Sequence, residues 1–106
     1  MALRKIPVRN DVPSYTMRVD LNSVIYILAF RFNQRGERWI MDILTEEEET
    51  IIQGIVLLTG IPLLTQYVDE RLPEGGLIVL DRTDAQNNPT RDNFGEDVEL
   101  YYDEVE

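Results

Sequence analysis

The sequence predicts a mainly β protein: a small single-domain β-barrel or sandwich with one short helix. Two observations carry this. Apolar and polar residues alternate with a period of two through several short segments, and turn-forming residues recur between those segments. The length of 106 residues bounds the answer to residues 1–106 as one domain. A domain of that size buries roughly two thirds of its unfolded surface, enough for one modest core.

The elements follow in order. Residues 3–9 form a short strand that ends in the turn chemistry of Asn10-Asp11, before Pro13 and Ser14. Tyr15, Met17, Val19 and Leu21 then alternate with Thr16, Arg18 and Asp20, which requires one buried and one wet face. Asn22-Ser23 turns the chain tightly. Residues 24–32 start apolar on both faces, so both should touch protein, and later place Phe30 and Phe32 inward with Arg31 outward. A turn over residues 33–37, with Gly36 supplying positive φ, leads to a returning strand with Trp39, Met41 and Ile43 on one face. Glu46 to Glu49 are four successive like charges and must be exposed. Residues 51–58 read as a buried strand bearing a bulge at Gly54. Pro62 starts the short helix, over residues 63–71. Gly75-Gly76 admits a strand at 77–80, residues 81–95 form a long polar loop with little to bury, and residues 98–102 form the last strand. Residues 103–106 read as an acidic tail.

Composition narrows the function. There is no cysteine and no histidine, which excludes disulfides, thiol chemistry and the usual zinc sites, and removes the commonest general base near neutral pH. The longest apolar run, residues 55–64, is broken by Thr59, Gly60 and Pro62, well short of the ~18 residues a spanning helix needs. Residues 1–9 lack the apolar stretch of a secretion signal, so the expected site of synthesis is the cytoplasm. A net charge of −10 argues against a phosphate-binding surface, so no nucleic acid is expected as a partner. The charge is polarised: residues 1–38 are net +4 and residues 39–106 net −14, an asymmetry suited to contacts between copies or with a basic neighbour.

Candidate chemistry is thin. Asp81, Asp84 and Asn87 miss the EF-hand spacing and read as turn formers. Asp42, between Met41 and Ile43, is the nearest approach to a catalytic carboxylate, and it reads as outward-facing or paired with an arginine. No nucleophile elbow, phosphate-binding glycine loop or dinucleotide fingerprint is present. Trp39, Phe30 and Phe32 read as core. Of Tyr101 and Tyr102, one should face the core and the other supply a contact. The reading is therefore of no enzyme, no catalytic residue, no metal and no cofactor.

The order of features carries a resemblance. An Ile6-Pro7 segment leads to an alternating strand, and a hydrophobic hairpin ends in Arg38-Trp39-Ile40-Met41-Asp42-Ile43. Then come Gly54 to Gly60 with Leu63-Leu64 beyond, the strand Gly76 to Asp81, the loop Pro89-Thr90-Arg91-Asp92-Asn93-Phe94-Gly95, and Val98 to Tyr102. Over about residues 5–102 this resembles the baseplate plug (ripcord-like) family of contractile-tailed bacteriophages; the Glu46–Glu49 run and the acidic tail are departures from that pattern. The resemblance implies a structural virion protein near the junction of tail tube and hub, stabilising the pre-contraction baseplate. It implies several copies around the tail axis, in contact with tube, hub, spike, wedge or sheath-proximal subunits, and assembly in the host cytoplasm. The partner-contact residues expected on this reading are Arg4, Lys5, Arg9, Arg91, Asp92 and Tyr101. The first three would meet the acidic tail of another copy, and the 81–95 loop would reach a neighbouring subunit. Two other functions stand as alternatives: an acidic, nucleic-acid-mimicking inhibitor of a host factor, and a metal-assisted or carboxylate enzyme.

Overall fold

Asn22 and Ser23 take φ of 54° and 69°, the two successive left-handed residues of a type I′ turn, and Leu21 pairs with Val24 across them. This hairpin opens the larger sheet of the computed structural model, which describes residues 2–104 apart from Thr65, Gln66, Val68 and Asp84. Seven strands form among the described residues: β1 (Ala2–Ile6), β2 (Ser14–Leu21), β3 (Val24–Asn33), β4 (Arg38–Thr45), β5 (Thr50–Val56), β6 (Gly76–Asp81) and β7 (Val98–Glu104). Strands β2-β3-β4-β5 make an antiparallel meander, and β1-β7-β6 make a second antiparallel sheet in which the first and last strands pair. The two sheets pack face to face as a sandwich; the barrel alternative fails, because the sheets stay separate and four strand edges remain.

The alternation read from the sequence sets the inner faces. Leu21, Leu28, Phe30, Trp39, Met41 and Ile43 of the larger sheet meet Leu77, Val79, Val98, Leu100 and Tyr102 of the smaller, all at 1% exposure or less. Trp39 sits at the centre of an aromatic group, with ring centroids 5.3 Å from Phe94, 5.4 Å from Phe32 and 6.0 Å from Tyr15. On the outer face of β3, Ile27 is 7% exposed, as its apolar start predicts, whereas Val24, on the inner-facing rank at the strand end, is 51% exposed. Glu46 to Glu49 are exposed.

The bulge falls where Gly54 predicts it. The β4–β5 register shifts between Met41 and Ile43, and Gly54 has φ of 82° with its amide on Asp42 Oδ1 at 2.8 Å.

Several expectations are corrected. No helix forms among the described residues of 63–71: Leu63 N instead donates to Leu77 O at 2.9 Å, and Tyr67 N to Leu64 O at 3.1 Å makes an isolated turn. Leu63 and Leu64 are drawn into the core, and the Leu63–Leu77 bond ties the start of this stretch to β6. Thr65, Gln66 and Val68 of the expected helix lie outside the described residues. In the β3–β4 turn the positive φ belongs to Glu37, at 51°, rather than to Gly36. Strand β1 ends at Ile6, where Val8 N folds back onto Ile6 O at 2.8 Å, rather than at Arg9. The acidic tail starts later than expected, since Asp103 belongs to β7 and pairs in register with Leu3 and Gly76; Val105 and Glu106 lie outside the described residues. The 81–95 loop has more to bury than its polarity suggests, because Pro89 and Phe94 are buried and Trp39 Nε1 donates to Thr90 O at 3.0 Å.

Candidate interaction surface

The six contact residues expected from the sequence fall into two groups. Lys5 and Tyr101 are cross-strand partners in the β1–β7 register, so they share the outer face of the three-stranded sheet. Between them lies Glu99, a carboxylate only 5% exposed although it faces outward. Tyr101 Oη donates to Glu99 Oε2 at 2.6 Å, while Lys5 Nζ and Arg82 Nε approach Glu99 Oε1 at 3.8 and 3.7 Å. The hydrogen bond to Glu99 and burial raise the Tyr101 phenol above its ordinary range. Arg4 pairs with Tyr102, so its side chain starts on the inner side of β1, and its guanidinium donates to Asp20 O at the edge of the other sheet.

The second group gathers around residues 9–11. Arg9 holds Asp11 with two hydrogen bonds of 2.5 Å and lies 5.9 Å from the Tyr15 ring centroid. The Arg9 amide donates to Tyr15 Oη, which in turn donates to Arg9 O. Arg91 Nε donates to Asn10 O at 3.1 Å, and its guanidinium lies 6.0 Å from the Phe32 centroid. Asp92 is exposed, with its amide capped by Thr90 Oγ1 at 3.2 Å. The loop carrying Arg91 and Asp92 is bound down on its own chain: Thr90 O accepts from Trp39 Nε1 of β4 at 3.0 Å, Thr59 N donates to Asn88 Oδ1 at 3.0 Å, and within the loop Asn93 Nδ2 donates to Asn88 O at 3.2 Å. The basic start thus meets the acidic last strand of its own chain, through β1–β7 pairing and the Lys5–Glu99 contact.

The carboxylates weighed for chemistry have local partners. Asp42 Oδ2 accepts from Arg31 Nη1 at 2.7 Å, the arginine pairing expected of it. Asp81 accepts from the Thr83 hydroxyl and amide and from the Asn87 amide, all within 2.9 Å, which makes it the turn former expected. Asp84 lies outside the described residues. Among the described residues no three acidic groups converge as a metal-ligand set. A groove of about 670 Å³ is lined by Leu64, Tyr67, Asp69, Glu70 and Leu72 among others. Asp69 there is held by Arg71, with Nη2 to Oδ2 at 2.9 Å. Glu99, the most enclosed of these carboxylates, escaped sequence reading: it alternates with core residues just as a solvated strand position does, and only the folding of Lys5 and Arg82 over it encloses it.

Fold and surface together define a small β-sandwich module that offers two polar faces and two open strand edges for contact. Across residues 3–105 the chain matches the model of the family described as cyanophage baseplate Pam3 plug gp18. The chain belongs to that family and is a phage baseplate plug protein, a tail component that meets other baseplate proteins. No curated protein matches it significantly.

Proposed function

We propose that this chain is a non-catalytic structural component of a contractile-tail baseplate, seated in several copies near the junction of tail tube and hub and stabilising the pre-contraction state. The family match over residues 3–105 is the observation that carries the reading. The architecture supports it. Two sheets interlocked through a dense aromatic core give a stiff block within 32 × 28 × 23 Å, and stiffness is what a part that resists rearrangement needs. The partners on this reading are tube, hub, spike, wedge or sheath-proximal subunits, which the exposed Asp92 and the polar Lys5–Tyr101 face would meet.

Peptide mass spectrometry on purified, extended particles, with copies counted against the tube protein, tests it. A fixed small multiple per particle, such as three or six, is expected. Absence from intact particles would overturn the reading and leave an assembly factor or the acidic inhibitor as the better account. The inhibitor alternative requires a host DNA-binding protein that the chain captures and DNA displaces.

A further inference from the structure

Strand edges present unpaired backbone groups, and folded proteins cover or blunt them. Among the described residues four edges exist, those of β1, β6, β2 and β5. That of β6 is covered, because Gly60 N donates to Val79 O at 2.8 Å and Leu63 N to Leu77 O at 2.9 Å. That of β5 is interrupted by the Gly54 bulge. The edges of β1 and β2 remain, and they converge: residues 4–7 and 17–20 line one groove of about 210 Å³.

Strand β2 is the longer of the two, eight residues in unbroken register with β3. Asp20 O accepts from the Arg4 guanidinium, so the Asp20 backbone points away from β3. Hydrogen-bonded and non-bonded pairs alternate along an antiparallel ladder, so the backbones of Arg18 and Thr16 point the same way. All three side chains are exposed. The groove is cationic in a chain of net charge −10: Arg4, Lys5 and Arg18 line it against one carboxylate, Asp20. Two of these cations also make loose contacts, Lys5 with Glu99 at 3.8 Å and Arg18 with Glu46 at 3.7 Å, and their side chains stay 57% and 61% exposed. A regular open edge beside clustered cations fits an extended backbone that brings carboxylates.

We propose that the β2 edge receives, by strand addition, an extended acidic segment of a neighbouring baseplate protein, with Arg4, Lys5 and Arg18 reading its charge. This rests on the baseplate reading and names the chemistry of one partner. Such a strand takes over the outward amides and carbonyls of Thr16 and Arg18 and the Asp20 carbonyl that Arg4 now satisfies.

Thr16→Pro tests the backbone part. The Thr16 amide faces the open edge, so proline there removes no β2–β3 bond and blocks only an added strand. Phage lacking the wild-type gene is complemented with wild type, Thr16→Ala, Thr16→Pro or Arg18→Glu, and plug copies per tube protein are counted in purified particles. The expected result is wild-type incorporation for Thr16→Ala and a loss of at least about tenfold for Thr16→Pro and Arg18→Glu, with the melting curve of the free Thr16→Pro chain matching that of Thr16→Ala. Wild-type incorporation of both Thr16→Pro and Arg18→Glu overturns the inference and leaves the baseplate reading intact; absence of the wild-type chain itself overturns both. Should Thr16→Pro fail to fold, Arg18→Glu decides by the same count. A dimer of the free chain abolished by Thr16→Pro overturns the foreign occupant and gives the edge to a second copy.

Discussion

At the scale of single residues, Trp39 joins the two layers most directly. It is fully buried, and its indole N–H reaches Thr90 O, which anchors the long 82–97 connection to the larger sheet. Replacing it with phenylalanine removes the donor and leaves Thr90 O with the Phe94 amide alone, at 3.2 Å, a cost of about 0.5–1.5 kcal/mol. Alanine removes the ring as well and raises the cost to about 3–5 kcal/mol. Urea unfolding of the two variants beside wild type checks the order, and a wild-type midpoint for the phenylalanine variant would show that the hydrogen bond contributes nothing. The burial of Trp39 was legible in the alternation of Trp39, Met41 and Ile43. Its partner was not, because Thr90 lies 51 residues away and is brought to it only by folding.

At the scale of elements, β6 and β7 approach closely at their ends. A Cβ on Gly75 would lie 1.9 Å from Asp103 O and 2.9 Å from the Tyr102 ring, whereas a Cβ on Gly76 would meet nothing within 4 Å. The Gly75 amide also donates to Tyr102 Oη at 2.9 Å. Gly75→Ala must therefore push backbone against backbone and should destabilise by about 1–3 kcal/mol, while Gly76→Ala should stay within about 1 kcal/mol of wild type. Thermal melts of the pair check this; a Gly76→Ala loss as large as that of Gly75→Ala would contradict the packing at this corner. From the sequence the two glycines read alike, as a permissive pair opening a strand. The hairpins were legible because a turn and the periods flanking it are local, and the helix expected over 63–71 does not form among the described residues because Leu63 and Leu64 answer to β6 and the core rather than to their neighbours in sequence.

At the scale of the molecule, acid reaches three separate carboxylate ties at once. The Asp81 carboxyl is held below the ordinary range by the Thr83 hydroxyl and then by the amides of Asn87 and Thr83, Asp11 by the hydrogen bonds from Arg9, and Asp69 by those from Arg71. A carboxyl whose folded pKa is depressed contributes stability above the unfolded value of ~3.9, and that contribution drains away as pH falls through the folded value. The unfolded chain binds more protons in that window, so stability should rise with pH there. Midpoints of urea unfolding should therefore drop below about pH 4, and Asp81→Ala should flatten the drop; an unchanged slope would remove Asp81 from the account. Over the whole molecule, separation along the chain also ceases to mean separation in space, since β1 and β7 pair and bring the basic start against the acidic end.

What the sequence determined by itself is what neighbours in the chain decide: six or seven short strand segments, the tight turn at Asn22-Ser23, the bulge at Gly54, and the inward ranks around Trp39. Side-chain alternation and turn conformation are properties of a few adjacent residues, so they are written locally. Sorting the strands into two sheets rather than a barrel, enclosing Glu99 under Lys5 and Arg82, binding the Arg91 loop to its own sheet and leaving β2 as an open edge were decided by tertiary structure alone. Each depends on which distant backbone groups are already paired when the layers close, and no local pattern encodes that pairing.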